Sequence, residues 1–348
     1  MTPPVTVVVP GDVETPTGGN VYDRRLCAAL TELGVDVAVR PVAGDWPAGG
    51  DAGRRALREL LAALPEGATV LGDGLVLDRF PEVVAPHAER LRLVSLVHLP
   101  LADETGLDPA EAARLRESER RALAACRAVV VTGSLTVTRV QELGVPAARV
   151  HLVEPGTDPA PPAPGRLDGG SLLCLAAIVP RKGQLDLVDA LAGLAHRPWQ
   201  CRLVGPVDRN PPYAEAVREA VRRHGLRERV EVCGVLDDSE LDETWAATDL
   251  LVLPSYWETY GMVLAEALAR GVPVVTTTGS EAERTAAGAG LLVPPGDSDA
   301  LRAALERWLS EPTLRAELAA RAREAGRALP TWDTAARRMA AVLVGVGS

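Results

Sequence analysis

Short apolar runs alternate with helix-patterned segments along almost the whole chain, and a single Pro- and Gly-rich segment breaks the alternation. Residues 5–9 form the first apolar run. A helix-spaced face follows, made of Val21, Tyr22, Leu26, Ala29, Leu30 and Leu33, with Gly34 as its stop. Strands are predicted at 35–39, 69–71, 91–97 and 128–131, and helices at 54–63 and 109–125. Alternation of this kind requires a parallel sheet with crossover helices on both faces.

Between 155 and 170 the run Pro-Gly-Thr-Asp-Pro-Ala-Pro-Pro-Ala-Pro-Gly admits neither helix nor strand. The pattern then restarts, with strands predicted at 172–179, 200–204, 230–233, 250–253, 272–276 and 291–293, and helices at 184–194 and 213–224. The chain beyond 301 reads as mostly helical. The expected organisation is an N-terminal Rossmann-like domain (1–157), a hinge (158–170), a second Rossmann-like domain (171–330), and a helix over 331–348 packing back on the first. In doubly wound sheets ligands bind beyond the carboxyl ends of the strands, so a cleft between the domains is the expected site.

Charge and composition narrow the function. Lys+Arg 37 against Asp+Glu 47 leaves a net charge of −10, with no long basic run, which argues against nucleic acid or an anionic membrane as partner. The 5 cysteines and 5 histidines are dispersed, so neither a disulfide framework nor a closely spaced metal site is expected. No apolar stretch has the length of a membrane span and no basic lead-in precedes an apolar segment, so a cytoplasmic protein is expected. Lys182 is the one lysine among the 37 basic residues.

Three strand-to-helix junctions suit anionic or hydroxylated ligands. Thr17-Gly18-Gly19-Asn20 would let backbone amides approach a ligand at a helix N-terminus, with a flexible turn as the alternative. Pro180-Arg181-Lys182-Gly183 places two cations where they oppose a helix dipole unless an anion lies between them; an exposed basic turn is the rival account. After the 250–253 strand, Glu258 stands at the mouth of a helix and Glu266 inside its apolar run. Burying the latter carboxylate is costly unless its bonds are met, by sugar hydroxyls or by a structural partner.

The stretch Glu258-Thr-Tyr-Gly-Met-Val-Leu-Ala-Glu266, followed by Ala-Leu-Ala-Arg-Gly-Val-Pro-Val-Val, resembles the donor-site signature of retaining GT-B glycosyltransferases of family 4. Gly18-Gly19 is similar to that family's N-terminal glycine loop and 180–183 to its diphosphate loop. The segments 154–158 and 290–297 resemble its interdomain turn and closing segment. The resemblance runs in order through the whole chain and implies a GT-B fold, two Rossmann-like domains facing a cleft.

It also implies roles. Glu258 would hold hydroxyls of the donor sugar, with the amides of Tyr260, Gly261 and Met262 on sugar and phosphate. Glu266 would bind the ribose, and Lys182 would neutralise the diphosphate, helped by Gly19 and Arg181. Val235 is a further donor contact, and His98 matches a histidine near the anomeric centre, although a histidine at a strand end has an ordinary structural reading too. Asn20, Asp73 and Ser134 are the acceptor-side candidates, Ser134 with a helix N-cap as its alternative. The family's Gly-Arg ahead of the lysine is replaced here by Ala176 and Ala177, which leaves Arg181 to supply the second cation.

The activity so implied is retaining transfer of a sugar from a nucleotide diphosphate sugar, a UDP-sugar by expectation, to a hydroxyl of a small-molecule, glycan or lipid acceptor. No cofactor and no metal are required. Two rivals stand beside it: a phosphorylase using PLP on the sole lysine, and a silent sugar-nucleotide-binding protein.

Overall fold

The computed structural model describes residues 4–15, 17–166 and 168–347. The chain forms two compact units. The first takes the residues up to Gly156 and those from Pro330 onward, and Thr157–Leu329 form the second.

In the first unit β1 (Val5–Pro10) leads to α1 (Gly18–Glu32), β2 (Val37–Val42), α2 (Gly50–Ala63) and β3 (Thr69–Asp73). The short helices α3 (Gly74–Leu77) and α4 (Pro81–Val84), then β4 (Arg92–Val97), α5 (Pro109–Ala125), β5 (Ala128–Val131), α6 (Ser134–Glu142) and β6 (Val150–Leu152) follow. The six strands are parallel, in the order β2-β1-β3-β4-β5-β6. Pro41 lies in β2 at the sheet edge, where its missing donor is tolerated. Val8, Val70, Leu93, Val129 and Val131 build one buried cluster with Leu57, Leu61 and Leu123 of the helices.

The second unit repeats the scheme. It runs β7 (Ser171–Leu175), α7 (Gln184–Ala192), β8 (Gln200–Val204), α8 (Pro211–Arg223), β9 (Val230–Gly234) and α9 (Asp238–Ala246). After these come β10 (Leu250–Leu253), α10 (Met262–Ala269), β11 (Val274–Thr277), α11 (Glu281–Thr285), β12 (Gly290–Val293), α12 (Ser298–Ser310) and α13 (Pro312–Ala328). The strand order is β12-β11-β10-β7-β8-β9, again parallel. Leu172, Cys174, Leu250 and Val252 pack into one cluster with α7, α8 and α12, while Leu173, Leu251 and Leu253 pack into another with α10. Alternate residues thus bury on opposite faces, which is why these strands are apolar throughout rather than at every second position.

The Pro-rich segment is irregular and bonded to the second unit: Ala163 N–H donates to the Arg270 carbonyl and Gly165 N–H to that of Ala246. Helix α14 (Trp332–Gly345) belongs to the first unit and packs on α1, with the Trp332 ring edge-on to Tyr22 at 5.6 Å. The Tyr22 hydroxyl donates to the Val153 carbonyl at 2.9 Å. Among the described residues no helix is long and apolar enough to cross a membrane.

Several predicted boundaries shift for local reasons. Helix α1 begins at Gly18 rather than Val21, because the Thr17 side chain caps it by accepting the Asn20 N–H at 3.0 Å. Gly34, at φ +82°, and Val35 donate back to Thr31 and Leu30, so β2 starts only at Val37. β7 ends at Leu175, not Val179: Ala176 and Ile178 still donate toward Val204 and Pro206, but the pairing with β10 has stopped. Strand β6 was not predicted, three residues being too few to carry a pattern.

Candidate functional site

Both sheets have a point where consecutive strands depart to opposite sides, and such a switch point opens a crevice at the carboxyl ends of the strands. In the second unit it lies between β7 and β10. The loop after β7 carries Arg181 and Lys182, and the loop after β10 carries Glu258. The two loops are tied together, since Tyr256 N–H donates to the Arg181 carbonyl at 2.8 Å and the Arg181 guanidinium to the Trp257 carbonyl at 2.9 Å.

Each loop needs a glycine to turn into its helix. Gly183 has φ +67° and Gly261 φ +85°, both left-handed, and each is the N-cap of the following helix. A Cβ on Gly183 would run into the Pro254 carbonyl of the other loop. Close approach of the two loops therefore rests on that glycine.

The result is a charge cluster. Lys182 Nζ donates to Glu258 Oε1 at 2.5 Å, and Arg181 stands 4.0 Å from Oε2. The lysine and glutamate side chains are 16% and 8% exposed, so the pair is largely out of water. Burial pushes the Glu258 carboxyl up, yet Lys182 and then Arg181 outweigh it and hold the group below its ordinary range. For Lys182 burial dominates, and the ammonium titrates below its ordinary value despite Glu258. The conflict with the α7 dipole anticipated from the sequence is thus met internally by a carboxylate. Beside this cluster, the buried Gln184 side chain donates to the Ala177 carbonyl while its Oε1 has no partner, and the Ser280 hydroxyl is likewise buried without one.

The other donor-side candidates spread along the same loops. Tyr260 and Gly261 are buried and Met262 half-buried at the start of α10. Glu266 is half-buried, so the cost anticipated for a carboxylate in that apolar run is not incurred in full. Val235 follows β9 and is 57% exposed. Ala176 and Ala177 put no cation in this loop, and Arg181 is the second one present.

In the first unit the switch point lies between β1 and β3. Gly18 and Gly19 form the first turn of α1, where amides lie outside the helix ladder. Asp73 ends β3, and His98 follows β4. His98 Nε2 lies 3.1 Å from Asp23 Oδ1 and 3.8 Å from Asp73 Oδ2. A Cβ on Gly19 would come within 3.2 Å of the imidazole. Burial lowers the imidazole, but Asp23 and then Asp73 raise it to about 8. Burial raises Asp73 to about 7 against the pull of His98.

Asn20 is buried and its amide donates to the Asp12 and Thr15 carbonyls, so it pins the loop before α1. Ser134 is the first residue of α6; the cap position is Gly133, which overturns the N-cap alternative. Asp23 was missed in the sequence. The available signal was its spacing: four residues after Gly19, it shares that glycine's helix face.

The two sheets and their helices match solved GT-B glycosyltransferase structures, and the fold is GT-B. Sucrose-phosphate synthase from Thermosynechococcus elongatus superimposes with a TM-score of 0.81 at 22% identity, covering 98% of this chain and 99% of that one. HepE from Anabaena, solved with UDP and glucose, gives 0.76 at 18% identity, covering 98% and 100%. Within the chain, residues 166–327 match the family of glycosyl transferases group 1. Mannosylfructose-phosphate synthase of Agrobacterium fabrum is 26% identical over 63% of this chain and 53% of its own length. D-inositol 3-phosphate glycosyltransferase of Kineococcus radiotolerans is 30% identical over 62% and 56%. The aligned region is thus little more than half the length of these two relatives.

Proposed function

We propose that the protein is a retaining glycosyltransferase of family 4, moving a sugar from a nucleotide diphosphate sugar to an acceptor hydroxyl. The observation that carries this reading is the Lys182–Glu258–Arg181 cluster at the β7/β10 switch point, inside the segment that matches glycosyl transferases group 1. Lys182 and Arg181 would take the diphosphate. Glu258, with the amides of Tyr260, Gly261 and Met262, would take the sugar and phosphate. Glu266 and Val235 would line the nucleoside, and His98 and Gly19 are the candidates of the first unit.

Diphosphate binding would draw Lys182 from the carboxylate to the phosphate and release Glu258 to accept sugar hydroxyls. In the transfer step the bond from the anomeric carbon to the leaving phosphate oxygen breaks. A bond to the acceptor oxygen forms on the same face, and the acceptor proton passes to the departing phosphate. Lys182 and Arg181 stabilise the charge that grows on that phosphate. The reaction draws on no metal or further cofactor. UDP is the first nucleotide to test, since HepE was solved with it, and the acceptor is a small molecule, glycan or lipid.

The test is thermal denaturation with UDP-, GDP-, ADP- and dTDP-sugars, followed by assay of nucleotide diphosphate release with acceptors. One nucleotide should raise the melting temperature in the wild type and not in Lys182→Met. Stabilisation that survives in Lys182→Met, or absence of release with every donor, would overturn the proposal.

A further inference from the structure

His98 is held from three sides by its own unit. Asp23 lies 3.1 Å from Nε2, the Gly19 backbone closes on the ring, and Tyr22 meets it edge-on at 5.1 Å between centroids. Asp23, Tyr22 and Gly19 all belong to α1, so one helix determines the orientation of a ring carried by another element. A carboxylate has no proton to give, so the bond fixes Nε2 as the donor and places a proton there. Nδ1 makes no hydrogen bond to any described residue, while the side chain remains 19% exposed. Asp23 itself is 1% exposed in its side chain and its Oδ2 has no partner, so His98 is the one polar group it serves.

A buried carboxylate with one partner is expensive to keep unless that partner needs it. Asp23 shares its helix face with Leu26, Cys27 and Leu30, and with Asn20, whose amide is taken up by the Asp12 and Thr15 carbonyls; an apolar residue at 23 would pack at no such cost. Asp73 is no substitute. Its Oδ1 accepts the Leu75 N–H at 2.7 Å to cap α3, and its Oδ2 stops 3.8 Å from the imidazole, beyond hydrogen-bond reach.

We propose that Asp23 is the positioning residue of His98: by accepting the Nε2 proton it locks the ring and keeps it cationic, so that Nδ1–H is the donor presented to an oxygen of the bound substrate. The ligand chemistry this suits is a hydroxyl or a phosphate oxygen. The catalytic consequence rests on the transfer reading above, whereas the pairing itself does not.

Two measurements on the full chain separate the two ideas. The first follows the imidazole resonances of the 5 histidines by NMR across pH, with His98→Gln to assign the signal. His98 should titrate near 8 in the wild type. In Asp23→Asn its midpoint should fall by roughly one unit or more, and in Asp73→Asn by less. The second is the pH profile of kcat for sugar transfer, whose alkaline limb should move acidward in Asp23→Asn together with the imidazole, with KM for the donor changing less than kcat. Asp23→Ser replaces the amide variant if that one does not fold.

An unchanged His98 midpoint in Asp23→Asn, or a larger fall in Asp73→Asn, overturns the pairing. A shifted midpoint with an unmoved kcat profile overturns the positioning role. A purely structural Asp23 would lower the melting temperature and leave the imidazole where it was. Failure of the wild type to transfer from any donor defeats the glycosyltransferase reading, and the NMR result still decides whether Asp23 governs His98.

Discussion

Replacing Lys182 by Met should destabilise the second unit, and replacing Glu258 as well should cost less than the two separate losses added together. The pair lies 2.5 Å apart with side chains 16% and 8% exposed, so removing one partner strands a desolvated charge. Breaking a buried pair in this way typically costs about 3–5 kcal/mol. Lys182→Met belongs near the lower figure, about 3 kcal/mol, because Arg181 still stands 4.0 Å from Glu258. Glu258→Gln should cost at least as much, since it leaves Lys182 and Arg181 facing each other at the start of α7. For a unit of this size each change corresponds to roughly 6–12 °C in melting temperature. The double variant removes both stranded charges and should fall short of the summed losses by about 2 kcal/mol. Calorimetry and urea denaturation of the four proteins give the cycle. Additivity within roughly 0.5 kcal/mol, or a Lys182→Met protein as stable as the wild type, would refute the claim that these groups hold each other.

Two further outcomes follow from the burial of charge and from backbone geometry. Burial raises Glu119 to about 8 and Asp73 to about 7, both above their values in an unfolded chain, so the folded first unit binds these protons more tightly. Their contribution is present below about pH 4 and is lost as pH rises toward 8. Glu119→Gln, which can still accept from Leu101 N–H, should flatten that decline and add a few kcal/mol at pH 9, read by urea denaturation across pH. An unchanged pH dependence would count against it. Gly183→Ala forces a side chain into a left-handed position against the Pro254 carbonyl, and should cost about 2 kcal/mol or more and abolish stabilisation by UDP. A wild-type melting temperature would show that the two loops do not need that glycine.

Much of the architecture was legible because the local signals were unambiguous. Helix 109–125 was predicted at both ends, and the structure adds the reason, Asp108 capping it and Pro109 at its first position. Strands 128–131 and 250–253 coincide with their apolar runs, since both faces of each sheet are covered, and strand 200–204 was placed despite Gln200 and Arg202 within it. β6 escaped because three half-buried residues carry no period, and the end of β7 because Ala176–Val179 stay apolar after leaving the pairing with β10. For the candidate site, the sequence placed Lys182 and Glu258 at two strand ends. Their contact depends on β10 lying beside β7, and adjacency in the sheet is not written in either loop. Asp23 was hidden for a related reason: within α1 nothing marks it, and only His98, in the loop after β4, gives it a task.

The first unit is completed from both sides of the second. Helix α14, with Met339 fully buried and Trp332 against Tyr22, is synthesised only after every residue of 157–329. During translation the earlier half must therefore wait, with the seat of α14 on α1 bare, while its neighbour is made and released from the ribosome. A nascent chain halted anywhere before residue 330 would expose that apolar seat, and chaperones would be expected to recognise the immature protein there.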